Sequence, residues 1–470
     1  MATYEADVVV LGAGPGGYVA AIRAAQLAKE HGGSVICIER EYLGGTCLNW
    51  GCIPSKAMIA HAERYQQVLH AKEMGILIEG AIDYDFQQMQ ARKDKIVQTL
   101  RGGIAALFKK NGVQSVEGTG KLIDPHTIEV SKADGSKDFV RGKHIILATG
   151  SSVMDLNIPG LAGEHVWTSD DAVNAPFVPD SLLILGGGAV GVEFSFVFNA
   201  LGSHVTVVEM MPRILPTMDE EVAQEAARAL SKQGVQFITG STLKSAERVG
   251  DLWRGYVETP KGVQTVDAQV VLIGVGRKPN VDGIGLETVG VQMNKRYVAV
   301  DEYLRTNIPH IYAIGDIIGV APLAHVASAQ GIVAAENCFG ANRRMDYRAV
   351  PNVVYTSPEV AGVGLTEQQA REQGYEVKIG KFSPRILGRA MASGVKEGLV
   401  KVVADAKYGQ ILGVHICCEH AGDLLQEAVL AIKLEATLDE LVDTIHPHPA
   451  MVEALMEAFH DAAGHCIHKV

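Results

Sequence analysis

Two cysteines, Cys47 and Cys52, stand five residues apart in the segment GGTCLNWGC of residues 44–52. If a helix begins near Thr46, about one and a half turns bring the two sulfurs close together, and the helix N-terminus stabilises a thiolate. Such a pair can cycle between a dithiol and a disulfide. The alternative is two buried or metal-binding cysteines. C-x₄-C is a weak zinc signature and no second ligand pair lies nearby, so we expect no metal site.

A histidine held between two prolines is the second candidate for chemistry, in the segment HPHPAMVE of residues 446–453. Glu453 lies five residues beyond His448, where its carboxylate can hold one ring nitrogen and raise the basicity of the other. On these residues alone, an ordinary surface histidine is the better explanation of His448. His446 is the competing candidate, and we interpret it as structural.

Two glycine-rich loops each follow an apolar strand and open a helix, which is the βαβ pattern of nucleotide-binding units. Glycine in G-x-G-x-x-G spacing allows a tight turn, close approach of a pyrophosphate and packing of the helix on the strand. The free N–H groups of the helix then face the phosphates. The spacing is met by Gly12, Gly14 and Gly17 and again by Gly186, Gly188 and Gly191. One such loop can be a simple turn, but two units about 170 residues apart predict two dinucleotides.

An acidic residue ends the second strand of each unit. Glu39 lies 22 residues past Gly17, where a carboxylate accepts hydrogen bonds from ribose hydroxyls, and Glu209 takes the matching place in the second unit. Because a carboxylate repels a 2′-phosphate, Glu209 favours NAD over NADP. Arg213, four residues on, is the feature that supports the weaker NADP alternative.

These side chains must be positioned by two α/β units and a third segment with a different order of strands and helices. Strand-like runs at 6–11 and 34–38 flank a helix at 18–28, and runs at 182–185 and 204–208 flank a helix at 190–201. A helical stretch is predicted over 56–111, with strands at 144–148, at 270–276 and from 311. Beyond about residue 351, strands at 398–403 and 410–416 precede amphipathic helices at 421–434 and 451–460, which is typical of an α+β domain.

Length and charge narrow the classes of protein. The chain has 470 residues, which suggests about three domains, and 47% of them are hydrophobic. A net charge of −12 disfavours nucleic acid or an anionic membrane as the main partner. There is no run of about 18 apolar residues to span a membrane, and no secretory or transit pattern at the N-terminus, so we expect a cytoplasmic protein. A processed organellar form would look the same. Seven scattered cysteines do not predict a secreted disulfide framework.

The order of these features resembles the pyridine nucleotide-disulfide oxidoreductases over the whole chain. The resemblance rests on both glycine loops, the cysteine segment, the C-terminal histidine motif and the segments 148–150, 276–280 and 315–316. It implies an α/β fold with two Rossmann-like dinucleotide-binding domains and a C-terminal α+β dimerisation domain. The implied segments are 1–151 and 278–348 for the two parts of an FAD domain, 152–277 for an NAD domain and 349–470 for dimerisation.

The resemblance also implies the roles of site residues. Cys47 and Cys52 become the redox pair, and His448 with Glu453 becomes the acid/base of a homodimer in which His448 reaches the disulfide of the other subunit. FAD is assigned to Gly12, Gly14, Gly17, Glu39, Lys56, Gly120, Asp316 and Ala324, with His325 in the adjoining backbone. NAD is assigned to Gly186, Gly188, Gly191, Glu193, Glu209 and Gly276. Lys56 and Glu193 are expected to form an ion pair.

Within this family the sequence favours the branch that oxidises dihydrolipoamide with NAD. Its partners would be the lipoyl domains of E2-type or H-protein-type carriers in 2-oxoacid dehydrogenase or glycine-cleavage systems. Pro15 and Ile22 stand where glutathione-reducing members carry Ser and Arg, and the segment 323–325 is typical of the lipoamide branch. A glutathione reductase-like enzyme is the runner-up and an inactive flavin-binding subunit is a further alternative. A mercuric-ion reductase is less supported because Cys466 stands alone near the C-terminus.

Two residues depart from the family pattern. Trp50 replaces a small aliphatic residue beside the cysteines, and Ala450 stands where threonine is common. Neither departure removes a residue to which the resemblance gives a catalytic role. We expect Trp50 to change the packing beside the two cysteines.

Overall fold

The computed structural model describes residues 2–469 and divides the chain into two compact units. The first unit runs up to Ala57 and includes Gln88–Asp155 and Gly276–Asp346. The second unit consists of Met58–Gln87, Leu156–Val275 and the residues from Tyr347 onward. The finer division into four segments stays a prediction.

The helices and strands follow in chain order. Up to residue 153 they are β1 (Thr3–Leu11), α1 (Pro15–Lys29), β2 (Val35–Glu39), α2 (Gly45–Asn49), α3 (Cys52–Leu69), α4 (Phe86–Asn111), β3 (Val113–Glu117), β4 (Thr119–Asp124), β5 (Thr127–Ser131), β6 (Lys137–Leu147) and β7 (Ser151–Val153). Up to residue 273 they are β8 (Val166–Thr168), α5 (Ser169–Val173), β9 (Ser181–Leu185), α6 (Ala189–Ala200), β10 (His204–Val208), α7 (Glu220–Lys232), β11 (Gln236–Ile238), β12 (Thr242–Val249), β13 (Leu252–Thr259), β14 (Gly262–Ala268) and β15 (Val270–Ile273).

The remaining elements begin with β16 (Arg277–Pro279), α8 (Leu286–Val289), β17 (Met293–Asn294), β18 (Tyr297–Val298), β19 (Ile311–Ala313) and α9 (Ala324–Cys338). The C-terminal part contains β20 (Asn352–Val354), β21 (Glu359–Gly364), α10 (Glu367–Glu372), β22 (Val377–Phe382), α11 (Gly388–Ser393), β23 (Leu399–Asp405), β24 (Ile411–Cys418), α12 (Ala421–Lys433), α13 (Leu438–Val442) and α14 (Glu453–Ala463). Short 3₁₀ turns lie at Ala71–Met74, Gly315–Ile318 and Pro384–Ile386.

The first unit is built on a sheet of order β3-β2-β1-β6-β5-β4, with β19 also paired to β6. Strands β1, β2, β3, β6 and β19 run parallel, whereas β4, β5 and the first half of β6 form an antiparallel meander. Val9 lies between Ile36 and Ile145 in the register and is fully buried. A valine-rich run of this kind forms a central parallel strand because side chains on both faces are covered.

Helices α1 and α9 of this unit pack backbone to backbone. A Cβ at Gly331 would lie 2.4 Å from the carbonyl oxygen of Gly16, and a Cβ at Gly16 would lie 2.9 Å from that of Ala327. Any larger residue at these crossings would force the two helices apart. The α1 helix, which opens at the first glycine loop, is therefore held in place by a helix from the last segment of the first unit.

The second unit contains a parallel sheet of order β11-β10-β9-β15-β8 and an antiparallel sheet of order β12-β13-β14. Its C-terminal part is an antiparallel sheet of order β20-β21-β24-β23-β22, on which α12 and α14 pack. The predicted α/β class with a C-terminal α+β part is confirmed. The apolar faces of these helices supply much of the C-terminal core, including Leu425, Ala428, Leu455, Ala458 and Phe459.

A buried lysine lies inside the second unit. Lys401 on β23 is 2% exposed, and its ammonium contacts Asp219 at 3.1 Å, Glu221 at 2.7 Å and Glu367 at 3.0 Å. Burial alone would lower the pKa of Lys401, but the three carboxylates raise it above its ordinary value. The cluster ties the start of α7 to the C-terminal sheet.

Two predicted helices are interrupted in the structure. The helical stretch expected over 56–111 was wrong in its middle, because α3 ends at Leu69 and α4 begins only at Phe86, with Gly75 and Gly80 in left-handed conformations between them. The cysteines do not share one helix either, since α2 ends at Asn49 and α3 begins at Cys52. Within residues 2–469, no helix has the length and apolar character that a membrane crossing requires.

Candidate active site

The first glycine loop uses its three glycines in different ways. Gly12 has a φ of +101°, and a Cβ there would lie 2.4 Å from the carbonyl oxygen of Ala148. A Cβ at Gly17 would lie 1.9 Å from the carbonyl oxygen of Gly12. A Cβ at Gly14 would meet nothing closer than the Cα of Gly45 at 4.0 Å. The outer glycines are therefore needed for the loop itself, whereas Gly14 leaves open space where a phosphate can approach the backbone.

The start of α1 and the end of β2 lie beside this loop. We call the Gly12–Gly17 loop, the start of α1 and Glu39 the first nucleotide cradle. Helix α1 begins at Pro15 with no side-chain cap, so its N-terminus is available to an anion. The carboxylate of Glu39 accepts the N–H of Ala13 at 2.7 Å and the N–H of Glu41 at 3.0 Å. These bonds hold the carboxylate at the end of β2, where its remaining lone pairs can accept ribose hydroxyls.

The second loop repeats the same construction in the second unit. Gly186 has a φ of +100°, a Cβ at Gly191 would lie 1.9 Å from the carbonyl oxygen of Gly186, and a Cβ at Gly188 would meet nothing within 4 Å. Helix α6 begins without a side-chain cap. The donor set and the open space again fit a dinucleotide.

The acid of the second loop is held by the backbone. Glu209 is 8% exposed and accepts the N–H of Gly187 at 2.5 Å and that of Met211 at 2.6 Å. The guanidinium of Arg213 is occupied by main-chain carbonyls, those of Leu215, Pro216 and Met218, at 3.0–3.1 Å. Because Arg213 is engaged in this way, the second loop presents a carboxylate and favours NAD.

The helix that carries Cys47 packs directly on the first glycine loop. A Cβ at Gly45 in α2 would lie 2.6 Å from the Cα of Gly14, and the N–H of Gly44 donates to the carbonyl of Ala13 at 2.8 Å. Gly45 has a φ of +57°, which glycine adopts without strain. This contact places Cys47 beside the nucleotide cradle.

The two thiols meet across the break between α2 and α3. The two thiols are not joined by a disulfide, and the side chain of Cys47 is hydrogen-bonded to that of Cys52. This hydrogen bond, and then burial, raise the pKa of Cys47, while the positive charge of Lys56 acts in the opposite direction. Cys47 and Cys52 are therefore close enough to interconvert between dithiol and disulfide, with a cation nearby to stabilise a thiolate.

Trp50 lies in a small aromatic group beside the thiols. Its ring centroid is 6.0 Å from that of Tyr42, and the guanidinium of Arg101 lies 3.8 Å above the Tyr42 ring. Arg101 also donates to the side-chain oxygen of Asn49 at 2.6 Å. Arg101 and Asn49 were not predicted, because Arg101 comes from α4, 52 residues away.

Asp316 belongs to a network that the sequence did not predict. Ser151 donates its hydroxyl to the Asp316 carboxylate. Arg277 donates to the Ser151 hydroxyl at 2.8 Å and to its carbonyl at 2.7 Å. The motif segments 148–150 and 276–280 are also joined, because the side chain of Thr149 donates to the carbonyl of Asn280 at 2.7 Å. The only sequence signal for Ser151 was its position directly after the 148–150 motif.

The other predicted cofactor residues have varied surroundings. Ala324 is the first residue of α9, followed by His325. Glu193 on α6 is 7% exposed and accepts the N–H of Tyr355 at 3.0 Å. Gly276 has a φ of +60°. Gly120 is explained by packing, since a Cβ there would lie 2.5 Å from Leu11 Cδ1. The pairing of Lys56 with Glu193 and the cofactor roles of these residues stay predictions.

The C-terminal histidine and its carboxylate are in contact. His448 Nδ1 lies 2.7 Å from Glu453 Oε1, and the backbone N–H of Ala450 donates to Glu453 Oε2 at 2.8 Å. The contact from Ala450 uses the main chain, so the missing threonine side chain does not affect it. The His448 side chain is 78% exposed, which leaves its other nitrogen free to face a second molecule.

His446 is differently placed. Its Nε2 lies 3.0 Å from Glu427 and its Nδ1 lies 2.9 Å from the carbonyl of Thr444, and its side chain is only 3% exposed. With both nitrogens occupied and the ring buried, His446 fits the structural interpretation better than a catalytic one.

Comparison with known proteins places the chain in a family. Residues 6–331 match pyridine nucleotide-disulphide oxidoreductases, and residues 350–459 match the dimerisation domain of that group. Dihydrolipoyl dehydrogenase of Bacillus subtilis is 42% identical, covering 100% of both chains. Dihydrolipoyl dehydrogenase 1, mitochondrial, of Arabidopsis thaliana is 42% identical, covering 97% of this chain and 90% of the relative.

A solved structure shares the fold over nearly the whole chain. The crystal structure of LpdA from Mycobacterium tuberculosis has a TM-score of 0.89 and 29% sequence identity, covering 98% of this chain and 99% of that chain. Matches to both domain models, and the identity over the full length of the relatives, lead to one conclusion. The chain belongs to the pyridine nucleotide-disulphide oxidoreductase family.

Proposed function

We propose that this protein is a dihydrolipoyl dehydrogenase, which oxidises protein-bound dihydrolipoamide to lipoamide and reduces NAD to NADH with FAD as its cofactor. The observation that carries the proposal is the contact between Gly45 and Gly14, which sets the Cys47–Cys52 pair against the first nucleotide cradle. The 42% identity to dihydrolipoyl dehydrogenases over the full chain supports this substrate.

The two cradles receive different dinucleotides in this proposal. FAD would be held by the Gly12–Gly17 loop and Glu39. Lys56, Asp316 and Ala324, which belong to the same unit, would contribute further contacts to it. NAD would be held by the Gly186–Gly191 loop, Glu193 and Glu209, with Gly276 following β15. FAD, when bound, supplies the two-electron carrier between a dithiol and a nicotinamide, which no side chain can replace.

The protein's own residues carry out the thiol chemistry. His448 accepts the proton of one substrate thiol, and Glu453 stabilises the resulting imidazolium. The substrate thiolate attacks Cys47 Sγ, forming a mixed disulfide and breaking the Cys47–Cys52 bond, with Cys52 leaving as a thiolate. The second substrate thiol gives its proton to the solvent, and its thiolate attacks the substrate sulfur of the mixed disulfide. This step closes the substrate disulfide and releases Cys47 as a thiolate, which takes the proton held by His448. Two electrons have moved from the substrate to the cysteine pair.

The assembly in this proposal is a homodimer, supported by the dimerisation domain at residues 350–459. The exposed ring of His448 fits a role toward the disulfide of the second subunit. The partners would be lipoyl domains of 2-oxoacid dehydrogenase or glycine-cleavage carriers, and the compartment would be the cytoplasm. The glutathione alternative is disfavoured because Arg213 is occupied by carbonyls and the acid of that loop opposes NADPH.

The test compares two substrate pairs on the purified protein. Dihydrolipoamide with NAD, and oxidised glutathione with NADPH, are assayed for nicotinamide absorbance, and Cys47→Ser serves as the matched inactive control. NAD reduction that is lost in the variant supports the proposal. Turnover only with glutathione and NADPH would replace it with the glutathione alternative. No turnover with either pair, in a protein that retains FAD, would favour a flavin-binding subunit.

A further inference from the structure

The C-terminal tail is tied to a buried carboxylate on α14. Glu457 is 2% exposed, and two side chains of the tail contact its carboxylate. His468 Nδ1 lies 2.6 Å from Glu457 Oε1, and the Cys466 thiol donates to Oε2 at 2.9 Å. Burying a carboxylate is costly unless it is paired, so this contact fixes the tail residues on the helix.

Glu457 follows Glu453 by one helical turn. Residues four apart on a helix lie on the same face with Cβ atoms about 5–6 Å apart. Glu453 already contacts His448 at 2.7 Å, so α14 carries two pairs of the same kind on successive turns. The inner pair is Glu457 with His468, and the outer pair is Glu453 with His448.

The two pairs influence each other electrostatically. The hydrogen bond to Glu457 raises the pKa of His468, which keeps this imidazole protonated further toward neutral pH. Burial would raise the pKa of Glu453, but the Ala450 N–H, His448 and then the charge of His468 lower it. His468 therefore acts as a cation on the carboxylate that holds His448.

Other charged groups surround the two pairs. Asp461, a further turn along α14, is paired with Lys469 at 2.6 Å. His446 pairs with Glu427 at 3.0 Å and also interacts with Glu453. His460 and His465 face each other with ring centroids 6.2 Å apart. Among the residues that the structure describes, His468 is the cationic side chain in contact with Glu457, and Asp461 and Glu427 have partners of their own.

We propose that His468, held by Glu457, is a positioning residue that sets the pH range in which the His448–Glu453 pair accepts the substrate proton. The proposal rests on the function proposed above. With His468 protonated, the inner pair carries no net charge and adds little to the electrostatic field at His448. Without that cation, the uncompensated charge of Glu457 would favour protonated His448 and leave less of the base available at a given pH.

The test is a double-mutant cycle in which the charges of His468 and Glu457 are removed singly and together. The measured quantity is the acidic limb of the pH profile of kcat/KM for dihydrolipoamide. His468→Gln should move the acidic limb of kcat/KM to higher pH by roughly half a pH unit. This is the size expected for one unpaired charge that solvent partly screens. Glu457→Gln should move it to lower pH, and the double variant should return it close to the wild-type position. His465→Gln is the matched tail control and should leave it in place.

A second readout separates this proposal from the function on which it rests. The titration of His448 is followed by NMR of the FAD-bound protein labelled with ¹³Cε1-histidine, with His448→Gln used for assignment. If the wild type does not oxidise dihydrolipoamide, the proposed function fails. The titration of His448 in the variants still tests whether His468 and Glu457 act on it. Opposite shifts in the two single variants support the proposal. Unchanged titration, or shifts in the same direction, would overturn it and leave the tail only a structural role.

Discussion

Glu209 closes the second nucleotide loop by accepting the backbone N–H of Gly187 at 2.5 Å. In the first loop Glu39 accepts the N–H of Ala13 at 2.7 Å. Each carboxylate thus shapes the loop in addition to the ribose contact proposed for it. Removing either one affects both the backbone of the loop and the recognition of the nucleotide.

Glu209→Ala should weaken the use of NAD without creating activity with NADP. Loss of a charged acceptor costs about 1.5–3 kcal/mol, which corresponds to roughly a tenfold to hundredfold rise in KM for NAD. No gain with NADP is expected, because the three carbonyls still occupy Arg213. Steady-state kinetics with both nucleotides measures this, with FAD content as the control for folding. A variant that prefers NADP would contradict the assignment of the second loop.

The first loop offers a matched pair of alanine substitutions. Gly14→Ala should fold, because its φ of −66° suits alanine and its Cβ meets open space, but it should lose at least about tenfold in FAD affinity. Gly17→Ala should fail to form a stable first unit, because its Cβ would lie 1.9 Å from the Gly12 carbonyl. Circular dichroism and flavin absorbance distinguish the outcomes. Full FAD binding by Gly14→Ala would show that the phosphates do not approach this residue.

Substitution of His448 should lower the rate of catalysis, whereas substitution of His446 should mainly lower the stability of the protein. His448→Gln should reduce dihydrolipoamide oxidation by about 10²–10⁴, as expected for loss of a general base. His446→Gln should leave turnover within a few-fold, since both of its nitrogens are used structurally. Assays at saturating NAD compare the two, and a large loss in His446→Gln alone would reverse the assignment.

The stability effect of His446→Gln should depend on pH. The Glu427 hydrogen bond raises the pKa of His446, so the pair contributes fully below the unfolded value of about 6.5 and is lost as the pH rises through the raised folded pKa. Unfolding midpoints should therefore differ more from the wild type at pH 6 than at pH 9. Equal differences at both values would argue that His446 is held as a neutral ring.

Lys401→Met should destabilise the second unit at neutral pH by about 3 kcal/mol, because it leaves three carboxylates without their buried cation. Burial opposes a low pKa at Glu221 and Glu367, but pairing with Lys401, together with Lys381 at Glu221 and Arg371 at Glu367, lowers the pKa of both. Their contribution is present above about pH 4.5 and is lost as the pH falls through the lowered folded values. Urea unfolding should show the gap between variant and wild type narrowing below pH 4.5.

Local pattern was enough to predict the two glycine-rich loops, the helices that they open and the position of their acids. Each loop is completed within about 30 residues of sequence, so strand, glycines, helix and carboxylate can be identified from spacing alone. The Ser151–Asp316 hydrogen bond joins residues 165 apart, and the Lys401 cluster joins β23 to α7 and α10. No periodicity marks such contacts, because they depend on how distant segments pack.

The break between the cysteines shows why local pattern is sometimes insufficient. The spacing of Cys47 and Cys52 is compatible with one helix, and that was the expectation. Trp50 has a φ of −136°, and a Cβ at Gly51 would lie 3.1 Å from the carbonyl of Thr46, so the chain turns before α3 begins. The sulfurs still meet, but across a turn between two helices.

The crossing of α1 and α9 has a consequence for the synthesis of the chain. Strand β19 completes the first parallel sheet and α9 packs on α1 through Gly16 and Gly331, so both are synthesised more than 280 residues after the end of α1. Until then the first nucleotide cradle lacks a strand and a supporting helix. The parallel sheet of the second loop lies wholly within residues 166–273 and can form earlier. The first nucleotide cradle is therefore completed late in biogenesis, whereas the sheet that carries the second loop can form before it.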